Sequence, residues 1–327
     1  MAFRTRLKRK LYTSAAGRTV IKGSKAIHLP GLKGFSLFEI WPTFIKQLRR
    51  TSLVERGAAI SFNIFMAIPP TLIFVFTLIP YLPISDKVIG QLFALIRDVM
   101  PGEKDHSVII DFLDDFFNRP RNELLSFGLL LALFFSSNAM MGVLRSFDKN
   151  YNGFWKRKQL QKRKVALLLT IIIYVLIFIA ILLLIAQGAV LKTIGVESEW
   201  LRSAIHNFRW VIIFFLFFFI VSFLYRHGAT AERKWPFITP GAVFCTGLMM
   251  ISTGLVTFWV DGFNNYNKVY GSISAVFILM ILIYVNALAL LLGFELNVTL
   301  MNMKRKAAAM PVISQNEDKR ADKETNG

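Results

Sequence analysis

Four histidines, one cysteine and a short run of acids are the residues of this chain equipped for hydrolytic or metal chemistry. Metal-assisted phosphodiester cleavage needs imidazole and carboxylate ligands clustered around an activated water. His28, His106, His206 and His227 stand apart, with no His-x-His or His-x-x-x-His pair, and each reads as a surface or interfacial residue. Cys245 is the single cysteine, which excludes an intrachain disulfide and a Cys-built metal site. Asp111, Asp114, Asp115 and Asn118 recur at i, i+3, i+4 and i+7 and share a helix face. One face cannot wrap a cation with six or more oxygens, so it reads as solvated.

The other residues with chemical potential are polar groups embedded in long apolar runs, where each costs free energy unless partnered. The run ISFNIFMAIPPTLIFVF (Ile60 to Phe76) holds Asn63 and the adjacent Pro69 and Pro70. Asn63, Ala67, Pro70, Phe74 and Thr77 share a mostly small or polar face, which points at other helices or a cavity. Pro70 lies about 18 Å beyond Ala58 at 1.5 Å per residue, near the middle of a bilayer. The two prolines predict a bend or break facing the protein interior, with Asn63 partnering a freed carbonyl. This is either a fixed kink that shapes the bundle or a hinge that lines a substrate path.

Further along, Gly128, Ala132 and Ser136 recur every four residues, followed by Ser137 and Asn138 as interhelical hydrogen-bonding groups or substrate contacts. Asn286, Ala289, Gly293 and Asn297 form another small, polar stripe. Glu295 lies on the opposite side from Asn286, about 36 Å along its run and therefore at the interface. A structural salt bridge to Arg56, Arg145 or a nearby Lys is expected for it, with proton coupling as the alternative. Asn63, Ser137 and Asn286 are expected to converge around Pro70, giving an apolar-walled groove suited to a lipid headgroup.

Six runs long enough to cross about 30 Å of hydrocarbon must position these groups. They are Ala58 to Leu82, Leu124 to Leu144, Val165 to Val190, Phe208 to Tyr225, Ile238 to Val260 and Gly271 to Val298. Over half of the residues are apolar, yet the net charge is +19. On the six-span map, 30 of the 39 basic residues fall on the side of the termini. The positive-inside rule puts both termini in the cytoplasm, and this accounts for the basic excess without nucleic acid. The basic N-terminus carries no short apolar stretch and cleavage site, so no removable signal peptide is expected.

Leu37, Trp41, Phe44, Ile45 and Leu48 predict an amphipathic helix on the cytoplasmic leaflet. Two more helical stripes are expected in the loop Pro83 to Glu123, outside. The expected fold is an all-α polytopic membrane protein with six transmembrane helices plus amphipathic interfacial helices. A basic cytoplasmic segment (1–34) precedes the membrane domain (35–302), and a polar, disordered cytoplasmic tail (303–327) follows it.

Three stretches resemble the YihY/virulence factor BrkB family of bacterial inner-membrane proteins, historically called ribonuclease BN. They are ERGAAISFNIFMAIPP, PFITPGAVFCTGL and YNKVYGSISAVFILMILIYVNALALLLGFELNVTL. In the last, the family's entry and exit motifs fall on Tyr270, Gly271 and Ser272, and on Leu292, Gly293, Glu295, Leu296 and Asn297. The resemblance spans roughly Phe35 to Asn302. Where the family often has Ser before the first-span proline, this chain has Ala67.

The resemblance implies an inner-membrane location and a link to envelope integrity and virulence. With the histidines dispersed, the nuclease name is read as misplaced and no enzyme or cofactor is expected. Two function classes follow. One is movement of a lipid or other amphiphile along a groove between helices. The other is a non-transporting scaffold for envelope assembly. No nucleotide-binding loop is present, so any transport is gradient-driven or passive.

Overall fold

The computed structural model describes residues 36–78, 122–148, 151, 153–193, 199–232, 234–262 and 273–325. Among them seven helices follow in order: α1 (Leu37–Leu48), α2 (Leu53–Leu78), α3 (Asn122–Phe147), α4 (Gln159–Thr193), α5 (Glu199–Gly228), α6 (Pro240–Gly262) and α7 (Ile273–Thr325). The all-helical class is the expected one. Four helices are long and apolar enough to cross a membrane, over Leu53–Val75, Leu125–Phe147, Pro240–Trp259 and Val276–Ala308. These are the first, second, fifth and sixth expected spans. The third and fourth lie in α4 and α5, and in α5 the apolar stretch is the shorter Phe214–Gly228.

α3 is the most enclosed of the four, with 50% of its most apolar stretch buried. Its neighbours are α2 and α4, while α6 packs on α7 and α7 also meets α2. Glycines set the α2–α3 spacing. A Cβ on Gly128 would sit 3.5 Å from the Phe74 backbone, and one on Gly142 would sit 3.1 Å from Asn63 Nδ2. The two helices therefore run antiparallel at close range over several turns.

At the α6–α7 contact, a Cβ on either Gly241 or Gly293 would overlap the other's carbonyl oxygen. Asn297 closes this joint, its Oδ1 accepting from Gly241 N–H at 2.9 Å and its Nδ2 donating to Thr239 Oγ1 at 3.0 Å. Tyr225 ties α5 to the same place by donating to the Leu290 carbonyl at 2.6 Å. Cys245 is fully buried in this joint. The small stripe Ala289, Gly293 and Asn297 is thus a packing surface.

Short connections close one end of the bundle. Phe154 and Ala231 form an isolated antiparallel bridge, and the Trp155 N–H donates to the Thr230 carbonyl at 3.1 Å. Arg157 forks onto the carbonyls of His227 and Gly228, both at 2.8 Å, and so caps the end of α5. Burial lowers the Arg157 guanidinium from its ordinary value, with Asp148 opposing the shift. Gly153 has φ +80°, a conformation suited to glycine, and any side chain there would overlap the Arg305 guanidinium.

Three expectations need revision. Of the expected bend or break at Pro69 and Pro70, the break is absent: α2 continues as helix to Leu78, with Pro70 buried and Pro69 exposed. The prolines remove only two backbone bonds, to Phe65 and Met66, and the flanking turns and the α3 contact hold the rest. α1 forms as expected, with the Ser36 N–H donating to Glu39 Oε2 at 3.3 Å. Of the expected stripe Phe44 is buried, its ring edge-on to Phe244, but Trp41 is 60% exposed and its neighbour Ile40 is buried instead, packed with Leu300.

Finally, the polar stretch from Ala307, expected to be disordered, follows α7 as helix through Thr325. Its Ala307-Ala308-Ala309 run favours helix. The loop with Asp111, Asp114, Asp115 and Asn118, the segment before Ser36, and the Tyr270-Gly271-Ser272 entry lie outside the described residues.

Candidate functional site

At the residue directly after the prolines, three hydroxyls from three helices meet. Ser136 Oγ of α3 and Tyr174 Oη of α4 are 2.6 Å apart, and Thr71 Oγ1 of α2 is 3.0 Å from Tyr174 Oη. Thr71 also donates to its own helix at the Ala67 carbonyl, 2.7 Å away. Beside them lies a groove of about 360 Å³, walled by Ile64, Ala67, Ile68, Thr71 and Leu72 of α2 and by Ser136 and Ala139 of α3. None of these residues is charged. Pockets of this size and character, apolar with a few convergent polar groups, are typical of small-ligand sites.

A second polar cluster is built on Glu295, whose side chain is fully buried. Its Oε1 accepts from Arg56 Nη1 and from the Tyr151 hydroxyl, both at 2.6 Å. Its Oε2 accepts from Gln47 Nε2 at 3.1 Å. Arg56 spends its other terminal nitrogen on the Ser146 carbonyl. Residues of α1, α2, α3, α7 and the loop after α3 are thereby drawn to one carboxylate. Burial first, and then the Glu295 carboxylate, hold the Tyr151 hydroxyl far above the ordinary tyrosine range. Phe294, the next residue back, stacks on Phe147 with parallel rings 4.0 Å apart.

The sequence-derived site residues fall in several places. Asn63 donates to the Ala59 carbonyl at 2.6 Å, in its own helix. It does not serve a carbonyl freed by proline, because the carbonyl four residues back is nearer. Ser137 is buried and donates to Phe134 of its own helix. Asn138 accepts from Arg163 Nη1 at 2.5 Å, beneath which lies the Phe134 ring. Asn286 donates to the Leu282 carbonyl and to Thr253 of α6, at 2.8 and 3.4 Å. No hydrogen bond joins Asn63, Ser137 and Asn286 to one another.

The groove near Pro70 is therefore organised by Thr71, Ser136 and Tyr174. Sequence reading placed Ser136 in the small stripe but passed over the other two. The signal was available: Tyr174 is a polar group set in the apolar run TIIIYVLIF.

Apolar helices of crossing length, joined by glycine contacts and buried polar clusters, define a helical protein of the lipid bilayer. The chain matches the model of the family described as virulence factor BrkB over residues 44–316, and it belongs to that family. It is similar to the ribonuclease-like protein YfkH of Bacillus subtilis (strain 168), 31% identical over 272 residues, or 80% of this chain and 97% of that protein. It is also similar to the UPF0761 membrane protein NTHI0384 of Haemophilus influenzae (strain 86-028NP), 22% identical over 270 residues, or 82% and 96%. No solved structure matches it.

Proposed function

We propose that this chain is a six-span inner-membrane protein, both termini cytoplasmic, that moves a lipid or other amphiphile along the α2–α3 groove. The observation that carries this reading is the meeting of Thr71, Ser136 and Tyr174 beside an otherwise apolar cavity. Leu72, at its edge, is 45% exposed, so alkyl chains have an apolar way out toward lipid. In this reading the chain is not an enzyme, and Glu295 is a structural tie.

Reconstitution in liposomes with fluorescent lipids tests the movement. Dye-labelled lipid should cross faster with protein than without, and Ala139→Phe, which fills the groove, should abolish the difference. No acceleration with any neutral or anionic probe sinks the reading. Orientation is tested in a Cys245→Ser background. An impermeant thiol reagent applied from outside should reach a cysteine placed at Asp114 and not one at Lys319; the reverse would overturn the topology. A non-transporting scaffold is the second reading, and the close α6–α7 packing through Gly241 and Gly293 favours it.

A further inference from the structure

We infer that the groove takes the uncharged, hydroxyl-bearing end of an amphiphile, of the diacylglycerol or long-chain alcohol class, in preference to its phosphorylated form. This rests on the reading of the groove as a lipid path and names what it selects. The inference comes from counting protons. Each hydroxyl has one proton to give and lone pairs with which to accept. Thr71 gives its proton to the Ala67 carbonyl at 2.7 Å. The ordering that uses the shorter contacts satisfies every donor: Ser136 donates to Tyr174 at 2.6 Å, Tyr174 to Thr71 at 3.0 Å, and Thr71 to Ala67, whereas the reverse sense would route Ser136 to Thr71 over 3.4 Å. The open end of this chain is an acceptor, Ser136 Oγ, and Ser136 lines the groove.

A ligand alcohol donates to Ser136 and extends the chain with no bond lost. A phosphate monoanion or dianion arrives mainly as an acceptor. To serve it, Ser136 must turn its proton outward, Tyr174 must turn to Ser136, and Thr71 loses its donor. The anion gains one hydrogen bond while the cluster forfeits another. Depth acts in the same direction. Thr71 lies about 8 Å from the midpoint of α2 at 1.5 Å per residue, well inside a hydrocarbon layer about 15 Å deep on each side. With no cation among the groove walls, a charge at that depth is unpaired and costly.

The full-length protein in phosphatidylcholine nanodiscs provides the test, with a photoactivatable diacylglycerol and the phosphatidic acid of the same chains as probes. Diacylglycerol should crosslink to peptides of α2 and α3, be competed by unlabelled diacylglycerol, and label at least fivefold more than phosphatidic acid. Ser136→Ala should lower that labelling about fivefold, the effect of one neutral hydrogen bond. Tyr174→Phe should lower it similarly, and Ser136→Ala decides if the larger change harms folding on size exclusion. Equal or stronger labelling by phosphatidic acid overturns the inference, as does unchanged labelling in the Ser136→Ala variant. Groove labelling without lipid movement in liposomes would remove the transport reading and leave this one standing. Movement that prefers phosphatidic acid would do the opposite.

Discussion

Arg56 and Glu295 lie 239 positions apart in the chain, yet their side chains meet at 2.6 Å with almost no solvent contact. The ion pair joins the start of α2 to the middle of α7, and Tyr151 and Gln47 complete the carboxylate's shell. Desolvating two charges is expensive, so such a pair serves to fix an arrangement more than to add stability.

Removing one partner leaves a buried charge uncompensated, at a typical cost of about 3–5 kcal/mol. Glu295→Gln and Arg56→Met should each lower the yield of monodisperse protein and its melting temperature. The double variant Arg56→Met with Glu295→Leu should recover part of the loss. Normal yields in Glu295→Gln, with transport selectively abolished, would assign the carboxylate to proton coupling instead.

Gly293→Ala should be among the most damaging single methyl additions in the chain. The new carbon would meet the Gly241 carbonyl, Tyr225 Oη at 2.5 Å and Cys245 Cβ at 2.6 Å. Gly254→Ala is the control, because a Cβ there meets nothing within 4 Å. It should be neutral or stabilise by up to about 1 kcal/mol through helix propensity. Thermal melts of the two variants in the same detergent check the contrast.

Tyr151 predicts an alkaline limit. Its folded-state affinity for the proton is raised, while in the unfolded chain a tyrosine ionises near pH 10. Its contribution is therefore complete below about pH 10 and is lost as pH rises beyond that value. Tyr151→Phe should be less stable at pH 8, by about 1.5–3 kcal/mol for a hydrogen bond to a charged group. Its stability should also fall less steeply above pH 10. Parallel slopes in the two proteins would remove Tyr151 from the account.

Replacing Pro69 and Pro70 together by Ala returns two N–H donors to the Phe65 and Met66 carbonyls. Since α2 already runs through both prolines, insertion and yield should be preserved or improved. Lipid movement should drop severalfold, because Thr71, the next residue, is carried on the reshaped turn. Full activity in the double-Ala protein would separate the prolines from the groove.

Much of this architecture is legible along single helices and little of it between them. A small-residue stripe such as Gly128, Ala132 and Ser136 announces a contact face through its period, but nothing in that period says that α2 and α4 fill it. Length along the helix points Asn63 at a carbonyl freed by proline, but its side chain reaches the Ala59 carbonyl of its own helix first. Trp41 dominated the amphipathic pattern of α1 by size, whereas Ile40, one position earlier, is the residue the bundle buries. Thr71 and Tyr174 are 103 residues apart, and no spacing rule links hydroxyls on separate spans. Arg56, the cation that meets Glu295, is among those the sequence offers for it, since an interfacial carboxylate near basic loops calls for a cation. Gln47 and Tyr151, from a surface helix and a loop, are not so signalled.

The glycine joint between α6 and α7 carries a lesson for comparison among relatives. The stretches PFITPGAVFCTGL and LLGFELNVTL, by which this chain is recognised, supply Gly241, Gly293, Asn297 and Glu295, all committed to holding helices together. The groove hydroxyls Ser136 and Tyr174 come from outside every one of those stretches. Two proteins that share the signatures share a chassis. In the proposed lipid path the hydroxyls that meet a ligand stand elsewhere, in α3 and α4, and sorting relatives by what stands at positions 136 and 174 would divide them along a different line from sorting by motif.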